Sequence, residues 1–500
     1  MKKLFIISAI TVGLALTSCD SYLDINQDPN SPTESGLSSD KILPAAEMAL
    51  SATYGDLLRI PAGYFTQHYA QTFGTSNYLD YSRFTMSATR SGTAYSQLTR
   101  GAINNLLVVR SKAEASKDWG TYLAATTLRV FAYQVLVDCY GEIPYSEAFN
   151  VAYTSPKYDE GKDVYAGLVA ELDDALSKVD ASDEVTTNFL FPGATAAKWI
   201  QFANALKLRL LMRESGVVDV NNQLSALVAE NNFPTADVAY KDCWKNESGQ
   251  MSPFYAEEFS TAWGSTQINV IANVAITGTM QQAGYTDPRL AAFFETNSDG
   301  NFTGGVSGSN FSTSKVYKST YWCRPVASYD MPVYLITVAE TEFFLSEYYA
   351  KQNNTAQAAA HYAAAVEASF ATAGVDGAAA NIAQFPYDQA NYKQVIGIAK
   401  WVALSGINNY ESWCELRRLK YPAFGTIQGS DIYDLGSDAS SYTPNVYVPG
   451  TLYTPIQVFG QVGDNQLLQR WPYADESSAS NPNAPKFLNT DYVKPVFWAN

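Results

Sequence analysis

The sequence predicts a mainly α-helical fold of about four tetratricopeptide-type helix pairs, with long loop insertions and a few short strands. Three observations carry this expectation. Ten segments space their apolar residues at the helical period. Several of these segments pair into hairpins that share one large-small pattern. The stretches between hairpins are long and rich in Gly, Ser, Asn and aromatic residues, the composition of loops.

At the N-terminus, Lys2 and Lys3 precede Leu4 to Leu16, a run that is apolar apart from Ser8, Thr11 and Gly13. It is too short to cross a bilayer as a stable helix and fits a secretory h-region. The run ends in Leu16-Thr17-Ser18-Cys19, a branched aliphatic, two small residues and a cysteine, which looks like the lipobox of a bacterial lipoprotein. Residues 1–18 are therefore expected to be a lipoprotein signal peptide, with Cys19 acylated as the first residue of the mature chain. Residues 19–39 are polar and contain Asp28-Pro29-Asn30-Ser31-Pro32, an extended tether between lipid and fold. Residues 40–500 form the single helical-repeat domain.

Helices are predicted at about Asp40 to Leu58, Ala94 to Ala115, Gly120 to Cys139, Lys162 to Val179, Ala194 to Glu214 and Val220 to Glu230. Further helices follow at Leu335 to Lys351, Thr355 to Thr372, Gln389 to Leu404 and Asn408 to Leu419. In the hairpin from Leu335 to Thr372, Leu345, Ser346 and Tyr349 face Ala358, Tyr362 and Ala365, the alternation by which tetratricopeptide helices approach closely. Trp199-x-x-Phe202-Ala203-x-x-Leu206 repeats the opening of that pattern, and Trp401-x-x-Leu404-Ser405 repeats part of it. Gly120 to Tyr140 with Lys162 to Val179 makes a looser copy. Two insertions interrupt the repeats, Tyr64 to Phe84 and Trp263 to Ser328, and variable loops on a rigid scaffold usually hold binding groups. In the second, Gly304-Gly305-x-x-Gly308 reads as a flexible loop. The tail from Phe424 to Asn500 is expected to be irregular, with a few short strands.

Composition narrows the function. Among 500 residues, 47% are hydrophobic and 16% charged, as in a globular protein, and the net charge is −16. Removing residues 1–18 takes away two lysines and no acid, so the mature chain is more acidic still. Such a surface repels phosphates, which argues against nucleic-acid binding. Aromatic content is 13%, with 34 tyrosines against 24 phenylalanines. Tyrosine favours half-exposed platforms and interfaces, although helical repeats also use it as packing. Cys139, Cys243, Cys323 and Cys414 match no zinc or redox spacing. Cys139 and Cys414 lie in apolar helical stretches, and a disulfide between Cys243 and Cys323 stays open.

Catalytic patterns are missing from the sequence. The only histidines are His68 and His361, and no His-x-x-x-His or Glu-x-x-His arrangement includes them. There is no nucleophile elbow, phosphate loop or dinucleotide fingerprint. No cofactor and no metal site is called for. A glycosidase-like carboxylate pair has no fixed spacing, so a surface glycoside hydrolase remains a rival reading.

Several motifs together resemble the SusD/RagB family of outer-membrane lipoproteins. They are Lys400-Trp401-Val402-Ala403-Leu404, Glu411-Ser412-Trp413 and Arg417-Arg418-Leu419-Lys420-Tyr421-Pro422. Asp28-Pro29-Asn30, Leu43-Pro44-Ala45-Ala46, Tyr140-Gly141-Glu142-Ile143-Pro144-Tyr145, Asp287-Pro288-Arg289-Leu290 and Arg470-Trp471-Pro472-Tyr473 agree with it. Ala474 departs from the family, which usually has proline there. The motif residues themselves are expected to be scaffold, with Glu411 or Glu415 pairing with an arginine one turn away. The resemblance implies a lipid-anchored protein on the outside of the outer membrane. It would capture an oligosaccharide, or a peptide in the RagB-like alternative, and pass it to a SusC-like TonB-dependent transporter without catalysis. A purely structural or adhesive lipoprotein is a second rival.

Sugars expose C–H faces that stack on flat rings, while their hydroxyls need polar partners at the edge. Candidate ligand-binding residues are Tyr69, Tyr78 and Tyr81 in the first insertion, and Trp263, Tyr285, Tyr321, Trp322 and Arg324 in the second. Asp80, Arg83 and Asn269 are candidate hydrogen-bond partners beside them.

Overall fold

The computed structural model describes residues 37–72, 77–260, 269–282, 284–308, 322–432, 447–460, 462–463 and 466–499. The predicted signal peptide, Cys19 and most of the tether lie outside the described residues, as do Trp263 and Tyr321. Ten helices of ten residues or more organise the described chain. They are α1 (Ser39–Ala52), α2 (Asn104–Ser116), α3 (Trp119–Tyr140), α4 (Gly161–Lys178), α5 (Ala196–Glu214), α6 (Asn221–Glu230), α7 (Val338–Lys351), α8 (Thr355–Ala373), α9 (Tyr392–Ala403) and α10 (Asn409–Leu419). No described helix is long and apolar enough to cross a membrane.

Four antiparallel pairs, α3/α4, α5/α6, α7/α8 and α9/α10, form the repeat scaffold, and α3, α5, α7 and α9 pack in succession. The α7/α8 hairpin shows why small residues are needed. Ala358 and Ala365 are fully buried, and the approach is close enough for the Ser346 hydroxyl to donate to the Ala358 carbonyl at 2.8 Å. Helix α3 is the axis of the molecule, with every residue from Gly120 to Tyr140 buried, the pattern of a helix packed on all sides. Asp118 caps its start by accepting from the Thr121 N–H. Gly141 ends it at φ +85°, where a Cβ would sit 3.2 Å from the Arg470 guanidinium.

The strands are short and tie loops together: β1 (Tyr69–Gln71) with β3 (Val270–Ala272), β2 (Val238–Tyr240) with β6 (Val333–Ile336), β4 (Gln281–Gln282) with β5 (Tyr285–Thr286), and β7 (Ala423–Gln428) with β8 (Thr451–Thr454). The last pair is parallel and lies in the irregular tail, as expected.

Several boundaries differ from the periodicity, each for a local reason. Leu335 and Ile336 belong to β6, a β-branched and aromatic run. Helix α7 begins only after Thr337, whose side chain accepts from the Glu340 N–H. The segment predicted to start at Ala94 already turns helical at Ala88, behind a Ser87 cap, and passes through a π-helical turn at Gln97–Ile103 before α2. A similar turn at Thr53–Leu58 extends α1 into a further helix, Arg59–Phe65, whose seven residues are all buried. Helix α9 starts at Tyr392 because Asp388 holds Ala390 and Asn391 in a turn. Cys139, Cys243, Cys323 and Cys414 are free thiols, so the Cys243–Cys323 disulfide is not made. Cys323 instead receives the Thr303 N–H at 3.0 Å.

The scaffold closes around a buried ionic network. Arg209 and Arg213 of α5 lie one turn apart and face inward. Arg209 makes a two-pronged pair with Glu340 of α7 at 2.6 and 2.8 Å. Arg213 binds Asp138 of α3 at 2.7 Å, and also pairs with Glu411 of α10. Glu415, one turn further along α10, takes Lys400 of α9 at 3.0 Å and Arg418, which reaches on to Glu347 of α7 at 2.7 Å. The pairing of Glu415 with Arg418 is the one-turn contact expected. Asp138 also receives Tyr165 and, at 2.8 Å, the Trp498 indole N–H, so the chain end docks on the same centre. Burial alone pushes the Glu347 carboxyl up, but Arg418 and Lys351 hold it down at about 2. Breaking such a network leaves a buried charge uncompensated. Arg213→Met is expected to cost about 3–5 kcal/mol in urea unfolding, whereas an exposed Lys41→Met change is expected to stay within about 0.5 kcal/mol.

Glu47 of α1 is the opposite case. It is fully buried, makes no ion pair among the described residues, and accepts the backbone N–H groups of Phe189, at 2.6 Å, and Leu190. Burial raises its pKa to about 8 despite those two bonds. Because the folded pKa lies above the unfolded one, the favourable contribution is complete below about pH 4.5 and is lost as pH rises to about 8. Urea midpoints of the wild type should therefore fall across that window relative to Glu47→Gln; parallel curves would contradict the assignment.

Candidate functional site

The two insertions, nearly 200 residues apart in sequence, form one face. Strands β1 and β3 pair antiparallel in the register Tyr69 to Ala272, Ala70 to Ile271 and Gln71 to Val270. The chain then returns beside β3, where Gly305 donates to the Ala272 carbonyl and accepts from Val274, at 2.8 and 2.9 Å. Asn273 locks the crossing. Its Nδ2 donates to the Tyr69 carbonyl and the Ser307 hydroxyl, while its Oδ1 accepts from the Ala275 N–H and from Tyr453 of the tail. Gly304-Gly305 is thus a close backbone crossing, not the flexible loop expected. A Cβ on Gly304 would lie 2.3 Å from the Asn273 carbonyl carbon.

Beside this crossing, Tyr78 and Tyr81 stack with ring centroids 5.5 Å apart. The exposed Arg90 lies over both rings, 5.4 and 5.2 Å from their centroids, and donates to the Tyr81 hydroxyl and to Asn77 Oδ1, each at 3.3 Å. Asp80 stands 3.9 Å from the Arg90 Nε. On the other side Tyr78 donates to Glu257 at 3.3 Å, and the buried Glu258 accepts the Asn269 N–H at 2.8 Å. Burial pushes the Glu258 carboxyl up, partly offset by that backbone bond. The outcome is an aromatic layer covered by a planar guanidinium and edged by amide and carboxylate groups. Such an edge can donate to and accept from hydroxyl groups. Among the described residues no cluster of three or more His, Cys, Asp or Glu side chains is placed to hold a metal ion.

A family model described as starch-binding associating with outer membrane, of the SusD-like type, matches residues 42–434. This chain belongs to the SusD/RagB family. Solved structures agree on the fold. A SusD homolog from Bacteroides uniformis is 22% identical with a TM-score of 0.70, covering 92% of this chain and 99% of that one. A SusD/RagB family protein from Bacteroides thetaiotaomicron is 19% identical with a TM-score of 0.67, covering 93% and 99%. A structure titled chitin-binding protein is 18% identical with a TM-score of 0.67, covering 89% and 94%. No curated protein matches. SusD-like proteins are nutrient-binding proteins associated with the outer membrane and cell surface.

Within this SusD-like frame the predicted residues fall into distinct places. Tyr69 is fully buried and stacks on Phe254 at 5.9 Å. Tyr78 and Tyr81 are buried beneath Arg90, each with only 4% of its surface exposed, and Trp322 is buried as well. Asp80, Arg83 and Arg324 are half-buried, and Asn269 is buried against Glu258. Tyr285 lies apart, edge-on to Phe385 at 5.8 Å and accepting from Asn381. His68 sits in the core beside Trp401, where burial lowers its pKa to about 3 and keeps it neutral. Sequence reading passed over Arg90, Asn77, Glu257 and Glu258. Their signal is faint, because an arginine nine residues past Tyr81 meets it only if the chain folds back at Ser87. Gly304→Ala is expected to destabilise by about 1–3 kcal/mol, since only backbone can yield there, read as a lowered urea midpoint with an unchanged slope.

Proposed function

We propose that this protein is a lipid-anchored surface subunit that captures an oligosaccharide on the insertion face and hands it intact to a SusC-like TonB-dependent transporter. The observation that carries the reading is the convergence of both insertions into one aromatic, polar-edged face on a rigid helical scaffold, in a chain of the SusD/RagB family. Cys19, after Leu16-Thr17-Ser18, supplies the acylation site, and the acyl chains hold the protein at the outer membrane with the tether giving it reach. The described residues add an exposed guanidinium, amides and carboxylates, groups suited to bonding hydroxyls, held in place by the buried ring layer beneath Arg90. A glycan is favoured over a peptide by the starch-binding description of the family and by the chitin-binding neighbour. Binding without bond cleavage separates this role from a glycoside hydrolase.

The reading is tested with the mature chain carrying Cys19→Ala. A glycan array should yield an oligosaccharide ligand that emerges unhydrolysed after prolonged incubation. Arg90→Ala should weaken it about five- to tenfold, as expected for loss of one charged hydrogen-bonding partner, with unfolding unchanged within about 1 kcal/mol. The acylated wild type should copurify with an outer-membrane barrel in mild detergent. Turnover of the glycan, or purification with no barrel, would overturn the proposal.

A further inference from the structure

A second cleft, of ≈ 370 Å³, opens between the β4–β5 hairpin, the short helix Ala378–Gln384, the outer side of α9 and the tail turn at Pro449–Gly450. None of the insertion-face residues Tyr78, Tyr81, Arg90 and Arg324 lines it. Its size lies at the low end of small-molecule sites, which span roughly 300–1,000 Å³, and so suits a short ligand. The floor is apolar and buried, built from Met280, Tyr362 and Val402. Half-buried Phe385 adds a ring held edge-on by Tyr285.

The polar groups are what set the chemistry. Among the described residues the charged groups of the lining are Asp287 and Arg289, which neutralise one another through two bonds of 3.0 and 2.6 Å. Arg289 spends its remaining nitrogen on Ser369 at 2.9 Å, and Asn381 donates to Asp287 at 2.9 Å. The pair therefore offers no free charge to an ionic ligand. Among the described residues what remains at the mouth is neutral: Gln384 and Gln394 are exposed, with side chains in which donor and acceptor lie side by side. That arrangement matches the donor–acceptor pairing of vicinal hydroxyls, above a floor that matches a C–H face.

The walls are also fixed before any ligand arrives. Gly450 donates its N–H to the Thr279 hydroxyl at 3.0 Å, Thr279 meets the Tyr447 hydroxyl at 3.0 Å, and Tyr362 donates to the Phe385 carbonyl at 3.0 Å. Preformed walls lower the ordering cost of binding.

We propose that this cleft is a second binding site, taking a neutral, hydroxyl-rich ligand of one or two sugar rings, and that it works independently of the insertion face. The inference goes beyond the proposed uptake role and does not require it.

The test uses the mature Cys19→Ala chain and saturation-transfer NMR with titration calorimetry. The probes are glucose, galactose, N-acetylglucosamine and their disaccharides, with glucuronic acid and decanoate as charged and apolar controls. At least one neutral sugar should bind. Ala399→Trp, which fills the cleft from the half-exposed side of α9, should abolish that binding. Gln384→Ala with Gln394→Ala, both at exposed positions, should weaken it about tenfold and keeps the test valid should the tryptophan variant fold poorly. Arg90→Ala should leave it unchanged. The proposal is overturned if no neutral sugar binds, if binding survives both cleft variants, if it is lost in Arg90→Ala alone, or if glucuronic acid or decanoate is the ligand displaced by Ala399→Trp.

Discussion

The structure depends on a charged centre that water does not reach. Arg209 and Arg213 project from α5 into a space bounded by α3, α7, α9 and α10; α3, α7 and α10 supply the opposite charges, and α9 adds Lys400, which pairs with Glu415. Apolar packing alone tolerates many registers between helices, whereas a guanidinium that must meet two carboxylates at hydrogen-bond distance tolerates few. In this molecule the network acts mainly as a device of registry, since a buried ion pair gains little net stability over a well-packed apolar cluster. It sets α10 against α5 and α3, and with it the position of Asn408 and Asn409, which bond back to Tyr54, β6 and the first residue of the helix at Arg59–Phe65.

That last helix passes directly into β1, so the geometry of the insertion face is inherited from the centre. Trp401 donates to the Thr66 carbonyl, and Gln67 exchanges two bonds with Tyr453 of the tail. By the time the chain reaches Tyr69 it is fixed on both sides. A face formed by loops is usually soft; here its base is stitched into the repeat core, which suits the ligand capture proposed for it.

The helical scaffold was legible in the sequence because its signals are local. Periodicity located all ten long helices, and the Ala358, Tyr362 and Ala365 pattern marked the tightest hairpin. The Trp401, Trp413, Arg417 and Arg418 motifs are packed into the core, as expected: Trp413 donates to Leu468, and Arg417 reaches the carbonyls of Asp138 and Gln469. What stayed hidden was long-range. An exposed-looking Tyr in a polar insertion gives no hint that β3 will cover it, as at Tyr69. Nor does a Gly-Gly pair in a Ser- and Asn-rich stretch show that the backbone at Asn273 and Val274, about 30 residues upstream, passes against it. The cleft beside α9 draws on five separated segments, and of the contacts that join them only the Asp287–Arg289 pair fell within a short motif read as structural.

Native-state hydrogen exchange tests the dependence of the insertion face on the charged centre most directly. If the insertions are part of the repeat core, amides at Ala70, Ala272 and Gly305 exchange as slowly as those in the middle of α3 and α5, and all accelerate together in Arg213→Met. Fast exchange at those three amides while α3 and α5 stay protected would contradict the account, because the face would then be a separately folding attachment.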